Sequence, residues 1–320
     1  TALPSLRAAG IAPDAVVVLE SQYWIERAFV GFAESRVPVF ADMTARPRAV
    51  VATGGEISFF HTRYAESRFL DRFASSGASP LEAPRLGSVG LSALWLATVL
   101  AAEGVPVFFS GLDFSWGRGY THARDALASL ADRAAATRLA PAGMAANAFS
   151  HGVFQREGKK GECVRTDPSL SLYAALCRDA FAGTRGVYDL GETGLPTGFP
   201  SLTIGEAERF MADRSVPKTA GADGRVADGS TSDGRVGNAA IRFLSGEKQK
   251  LAELRAALTG EAPADSALAR IAELDYLFLH FPDGHAGPSE SQGFLNRVRV
   301  ETEYFLKALE YRALPSYPSS

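Results

Sequence analysis

The chain is poor in the residues that most often announce a function. It has two cysteines, Cys163 and Cys177, in 320 residues. They show no CxxC spacing and no neighbouring histidine cluster, so neither a disulfide framework nor a zinc site is indicated. A reducing cytoplasm fits such sparing use, and a cytoplasmic location is the expectation. No charge sign dominates. The 33 Lys and Arg against 36 Asp and Glu leave a net charge of −3, which supplies no global basic field for nucleic acid. No apolar run approaches the roughly 20 residues that cross a bilayer, so no membrane span is expected. The Walker A, GxGxxG, GxSxG and HExxH patterns are all missing. The chain begins at Thr1, without a Met or a signal-peptide pattern, and is expected to be cut from something longer. What remains is ordinary for a globular protein: 46 % apolar and 22 % charged residues, in a length sufficient for one large domain or two small ones.

The apolar runs then set the architecture. "PDAVVVLE" (13–20) reads as a buried strand behind a Pro-Asp turn, "VPVFAD" (37–42) as a second and "AVVAT" (49–53) as a third. Residues 21–35 carry apolar positions at roughly helical spacing. "GSVGLSALWLATVLAAEG" (87–104) reads as a helix with small residues at its start and Gly104 as its stop. The strand 105–110 follows at once. An Ala-rich helix is expected over 125–148. A short strand precedes a helix capped by Thr166 or Asp167, with Pro168 in its first turn. "GVYDLGETGLPTGFPSLTIGEAERFM" (186–211) reads as strand, glycine-rich loop and helix. Helices alternating with apolar strands predict an α/β fold built on a parallel sheet with covered faces. Composition shifts to Gly, Asp and Ser over 212–240, which reads as a flexible linker. Residues 241–320 read as an appended helical region of amphipathic segments. The expected division is therefore 1–211, 212–240 and 241–320.

In such a sheet, ligands bind beyond the carboxyl ends of the strands, near helix amino termini. "VPVFFSGLDFSWGRGYTHARDA" (105–126) leaves its strand through Gly111 and Asp113 and runs through two aromatics, Trp116 and Tyr120, to Thr121 and His122. Asp113 would bind a hydroxyl or act as a base, and His122 would act as acid or base near neutral pH. Gly87 and Ser88 open a helix whose free N–H groups favour an anion. Thr166, Asp167, Glu192 and Gly194 stand at comparable ends. Each also has a structural explanation: Thr121, Thr166 and Asp167 as caps, Gly87 and Gly194 as turn or close-packing residues, the aromatics as packing. His61 and His151 fall in no motif spacing and are left out. The residues alone thus lead to a Rossmann-like domain with an acid- and His-bearing rim, suited to a phosphorylated or nucleotide ligand.

Several of these segments, in this order, resemble the Maf (motility accessory factor) proteins and the related MptE-like domain of 6-hydroxymethylpterin diphosphokinases. "GIAPD" and its strand resemble the family's G-I-x-P-D turn. "GSVGLSALW…FFSGLD" resembles its G-x-S-V helix and the strand ending in G-x-D. "GYTHARDA" resembles its T-H-A segment, "VRTDPSLSLYAAL" its T-D helix, and "YDLGETGLPTG" its closing E-G-G-x-x-x-G loop. The likeness covers about residues 1–211. It implies a Rossmann-like, sialyltransferase-like fold. It further implies glycosyl transfer of a nonulosonic sugar from a CMP-activated donor to Ser or Thr of flagellin, in the service of motility. No covalently bound cofactor is implied. The related diphosphokinase activity would use ATP and magnesium, with Asp113 near the metal. A third reading is a non-catalytic, partner-binding relative. Two departures stand out: the family's opening G-x-G-P-S loop has no counterpart within the chain, and Thr193 replaces the middle residue of E-G-G.

Overall fold

A computed structural model of the chain describes residues 2–117, 121–123, 125–139, 141, 152–213, 230–260, 265–283 and 287–311. The fold is α/β, with a parallel four-stranded sheet and a C-terminal helical region. Two compact units form: Thr1–Thr62 with Leu81–Gly224, and Arg63–Pro80 with Arg225–Ser320.

The first unit opens with helix α1 (Leu3–Ala8), strand β1 (Val16–Val18) and a 3-10 helix at Tyr23–Phe29 where helical spacing was expected. Strand β2 (Val39–Asp42), helix α2 (Pro47–Val50) and strand β3 (Ile57–Thr62) follow. After β3 the chain contributes helix α3 (Arg68–Ser75) to the second unit and then returns as β4 (Leu81–Ala83). The sheet order is β1-β2-β3-β4, parallel throughout, with Val16 opposite Val39 and Val39 opposite Ile57. The β-branched run of β1 suits a strand covered on both faces. Val16, Val18, Val39 and Ala41 pack with Phe29, Phe32 and Ala49 in one core.

The strand expected over 49–53 is not formed. Pro47 takes the first position of α2, where its fixed φ and missing N–H suit a helix start. Ala49 and Val50 are thereby buried. The third strand is instead "ISFFHT", whose buried residues are the consecutive Phe60, His61 and Thr62. That run shows no alternation by which periodicity would reveal it.

The remainder of the unit comprises α4 (Val89–Leu100), β5 (Val107–Phe109), α5 (Leu127–Ala135), a β-hairpin of β6 (Phe154–Glu157) and β7 (Cys163–Thr166), α6 (Pro168–Ala180), β8 (Val187–Asp189) and α7 (Ile204–Asp213). Helix α4 packs against both β1 and β5. Strands β5 and β8 pair in parallel, Phe109 opposite Asp189. The parallel strands thus fall into two hydrogen-bonded sets among the described residues. A single core joins Leu91 and Leu94 of α4, Phe114, Val164 of β7, Ala174 and Cys177 of α6, Val187 of β8, and Leu195. The loops leaving β5 and β8 are therefore anchored in the same cluster as the hairpin.

In the second unit α3 joins α8 (Ser230–Leu258), α9 (Asp265–Glu273), a 3-10 turn at Asp275–Leu277 and α10 (Gln292–Tyr311). Leu251, Leu254, Ile271, Leu274, Phe294 and Val298 form its core. Helix α3 is held there by polar contacts as well. The buried Glu247 carboxylate accepts from Arg72 Nε at 3.1 Å and Nη2 at 2.8 Å, and Asp275 accepts from the Arg68 backbone N–H at 2.6 Å. Helix α8 starts at Ser230, inside the stretch read as a linker; residues 214–229 lie outside the described part. Further along α8, Ala239, Ala240 and Phe243 pack on Phe73 and Ala78 of the α3 segment. Among the described residues no helix is long and apolar enough to cross a membrane.

Candidate functional site

The most developed polar cluster lies where β5 and β8 end. Asp189 closes β8 and is almost fully buried. Its Oδ1 accepts from the Gly191 backbone N–H at 2.8 Å. Its Oδ2 accepts from Lys159 Nζ at 2.7 Å and from Thr197 Oγ1 at 2.9 Å. Lys159 is itself buried, with 7 % of its side chain exposed. A buried ammonium needs such a partner, because an unpaired one would carry an uncompensated desolvation cost. Asp113 faces the same point from the β5 side. A Cβ built on Gly191 would sit 2.9 Å from Asp189 Oδ1, 2.9 Å from Lys159 Nζ and 3.0 Å from Asp113 Oδ1. Two carboxylates and one ammonium therefore converge on the space that Gly191 leaves empty. Gly191 has no positive φ; it is required for room rather than for conformation.

Electrostatics distinguish the two acids. The Asp189 carboxylate is saturated with donors. The half-buried Asp113 carboxyl makes no hydrogen bond among the described residues. Burial raises its pKa above the ordinary aspartate value, Lys159 pulls it down, and Asp189 pushes it back up, leaving it raised. Next to this cluster, the fully buried Cys177 thiol is pushed up to about 11 by burial and by Asp189. It is therefore not a thiolate at neutral pH.

The surrounding backbone is strapped together. The β6–β7 hairpin carries Lys159 in its turn, "GKKG". Its Glu162 accepts from Gly194 N–H at 3.0 Å, and Lys159 N–H donates to the Gly194 carbonyl at 2.8 Å. Desolvation pushes the Glu162 carboxyl up. Hydrogen bonds from the backbone N–H groups of Glu162, Lys160 and Gly194, with the Lys159 charge, outweigh it and leave the group below the usual range. Gly194, at φ +113, lies so close to Asp113 that a Cβ would come within 2.6 Å of the Asp113 carbonyl oxygen. Leu195 N–H donates to that same oxygen at 2.8 Å.

The residues named from the sequence divide accordingly. Asp113 and Gly194 are in the cluster. Thr166 is fully buried and donates its hydroxyl to the Phe114 carbonyl at 2.8 Å, fixing the residue after Asp113. Asp167 is the N-cap of α6 and accepts from Leu170 N–H at 2.8 Å. Gly87 has φ +67 and packs on the Tyr173 ring, with which a Cβ would collide at 2.9 Å. Ser88 is the N-cap residue of α4, yet its side chain makes no capping bond. Gly111 has φ +83 with open space around it, a turn requirement only. Glu192 and Thr193 are exposed, and Thr193 has an ordinary φ; the glycine freedom of this loop is used at Gly194. Thr121 Oγ1 lies 3.0 Å from Nδ1 of the exposed His122. No described contact joins His122 to Asp113, and Thr121 is not a cap, since α5 starts from Ala126. Trp116 is buried, with 6 % exposed, and its backbone pairs with Arg165, so it offers no stacking platform; Tyr120 and His151 lie outside the described residues.

Lys159, Asp189, Gly191, Thr197 and Glu162 are the residues that sequence reasoning missed. One signal was available. The rule that selects Asp113, an acid at the carboxyl end of a parallel strand, selects Asp189 equally. Asp42 also ends a strand, but it is consumed in bracing. Its carboxylate accepts from the backbone N–H and hydroxyl of Thr44 and from the Thr62 N–H at 2.6–2.9 Å. Among the described residues no group of three or more His, Cys, Asp or Glu is arranged to hold a metal ion. A cavity of about 450 Å³ in the second unit, lined by Ala257, Leu268, Leu295 and Arg299 among others, contains none of the predicted site residues.

No family's sequence profile matches the chain. The chain is similar to a protein of Treponema pallidum (strain Nichols), described as uncharacterized, at 36 % identity over 313 residues; the match covers 93 % of this chain and 54 % of the relative. The chain thus spans about half the length of that relative. Among solved structures it is similar to a Maf glycosyltransferase from Magnetospirillum magneticum AMB-1, with a TM-score of 0.40 and 14 % identity, over 97 % of this chain and 44 % of that one.

Proposed function

We propose that the first unit is a Maf-type transferase that moves a nonulosonic sugar from a CMP-activated donor to a Ser or Thr hydroxyl of flagellin. The observation that carries this reading is the Asp113 carboxyl, half-buried and without a hydrogen bond, at the carboxyl end of β5. A carboxyl raised by burial is a better proton acceptor, once ionised, than a solvated one. The ordered sequence segments support the donor class. In the reaction the acceptor oxygen bonds to the anomeric carbon while its proton passes to Asp113. The bond from that carbon to the phosphate oxygen breaks, and CMP leaves with the electron pair. Leu195 N–H holds the Asp113 carbonyl, Gly194 packs against it, and Thr166 holds the carbonyl of the next residue, Phe114. Gly87 and Ser88 are assigned to an anionic group of the donor, and Glu192 and Gly111 to the rim. His122 is assigned to the departing phosphate.

The test is calorimetric titration of CMP, and separately of ATP with magnesium, followed by transfer assays. CMP binding, with Asp113→Asn lowering transfer by about 10²-fold or more at unchanged Tm, supports the assignment; that is the usual contribution of a general base. ATP–magnesium binding alone replaces it with the diphosphokinase reading. Binding of neither by folded protein replaces it with a non-catalytic, partner-binding role.

A further inference from the structure

Resting on the reading of Asp113 as the proton acceptor, we infer that Lys159 is a positioning residue of this site: held by Asp189 across Gly191, its buried ammonium keeps the Asp113 carboxyl charged and directs it toward a neutral hydroxyl of the ligand rather than a phosphate.

The geometry requires a cation here. Asp113 Oδ1 and Asp189 Oδ1 each lie about 3 Å from the point that a Gly191 Cβ would occupy, and Lys159 Nζ lies as near to it. Two carboxylates this close cannot both stay ionised without a counter-charge. Among the described residues Lys159 is the cation that serves both acids: it hydrogen-bonds Asp189 at 2.7 Å and acts on Asp113 by charge. The groups facing Asp113 are thus Lys159 from the hairpin turn and Asp189 from β8. Glu162 acts on Lys159 from the hairpin, and Cys177 of α6, itself influenced by Arg178, faces Asp189. Asp189 already has three donors, so Lys159 is pinned from one side and Asp113 is left with its lone pairs unclaimed. One ammonium against two carboxylates also leaves the cluster net negative. A phosphate would be repelled from it, whereas a sugar or alcohol hydroxyl donates a hydrogen bond to Asp113 at no such cost.

The experiment is a ¹³C-carboxyl NMR titration of Asp113 in the whole protein, with no ligand added. In Lys159→Met the midpoint is expected to rise by about one pH unit or more, and in Asp189→Asn to fall by a similar amount, the usual size of a charge effect within ~6 Å. Lys159→Arg should leave it near the wild-type value. A merely structural Lys159 would lower Tm without moving the two midpoints in opposite directions; that result overturns the inference. If Lys159→Met does not fold, Asp189→Asn still decides, since an unmoved or raised midpoint refutes the arrangement. Inorganic phosphate should not change the wild-type midpoint; a rise on adding it would mean that the anion docks at the cluster, contrary to the inference. Because no substrate is present, opposite shifts together with an absence of CMP binding would sink the transferase reading while leaving Lys159's role intact.

Discussion

Replacing Gly191 by Ala tests the convergence of charges directly. Gly191 has no positive φ, so alanine meets no backbone penalty there. Through the unfolded chain alone the change would stabilise the protein by about 0.4–1 kcal/mol. The structure predicts the opposite sign. The added methyl would lie 2.9 Å from Asp189 Oδ1 and 2.9 Å from Lys159 Nζ, closer than carbon tolerates, and 3.0 Å from Asp113 Oδ1, a tight contact. Asp113 can turn aside, but the other two cannot retreat freely: Asp189 is held by three donors, and Lys159 is buried beside it. Overpacking of this kind costs about 1–3 kcal/mol. In a unit of this size that lowers Tm by roughly 2–4 °C for each kcal/mol. Differential scanning calorimetry reads the effect. Gly205→Ala in α7 is the control, because a Cβ there meets nothing within 4 Å, and it should gain up to about 1 kcal/mol. If Gly191→Ala were as stable as that control, the three charges would not share one space, and the site described above would not exist in this form.

Two further outcomes follow from the same geometry. Thr197→Val keeps the shape but removes one donor from the buried Asp189; a loss of about 1–3 kcal/mol is expected by calorimetry, and an unchanged Tm would show that this hydroxyl is not needed there. In native protein a thiol-specific reagent at neutral pH should label the exposed Cys163 and spare Cys177, which is fully buried with its thiol pushed up to about 11; equal labelling of both before unfolding would contradict the core around α6.

The sequence made the strand-end logic visible but not its chemistry. Asp113, the α6 cap at Asp167 and the β1 run could be read because each depends on local pattern: an acid after an apolar strand, a capping residue before proline, consecutive valines. Lys159 could not be read as a site residue, because "GKKG" is an ordinary turn until the hairpin folds back and buries one lysine of the pair against Asp189, 30 residues away. The pairing of Gly194 with Asp113 is likewise a long-range contact. The strand expected at 49–53 failed for a local reason, Pro47 at a helix start, and β3 was missed because its buried residues do not alternate. The start of α8 at Ser230 was missed because its glycine- and serine-rich first turns have poor helix propensity.

The discontinuous second unit has a practical consequence for anyone who would divide this protein. Between β3 and β4 the chain lends Arg63–Pro80 to the helical unit. A cut anywhere in the 214–229 stretch, where a linker would invite one, does not separate two self-sufficient pieces. The N-terminal fragment would keep α3 but lose Phe243 and Tyr276, which cover its Phe69 ring, Glu247, which pairs with its Arg72, and Asp275, which caps its first backbone N–H. Phe69 and Phe73 would then face water on a segment tethered at both ends to a sheet, an adhesive surface prone to self-association. The C-terminal fragment would lack the helix that closes part of its own core. Recombination that swaps the helical region alone would therefore have to replace the loop between two strands at the same time.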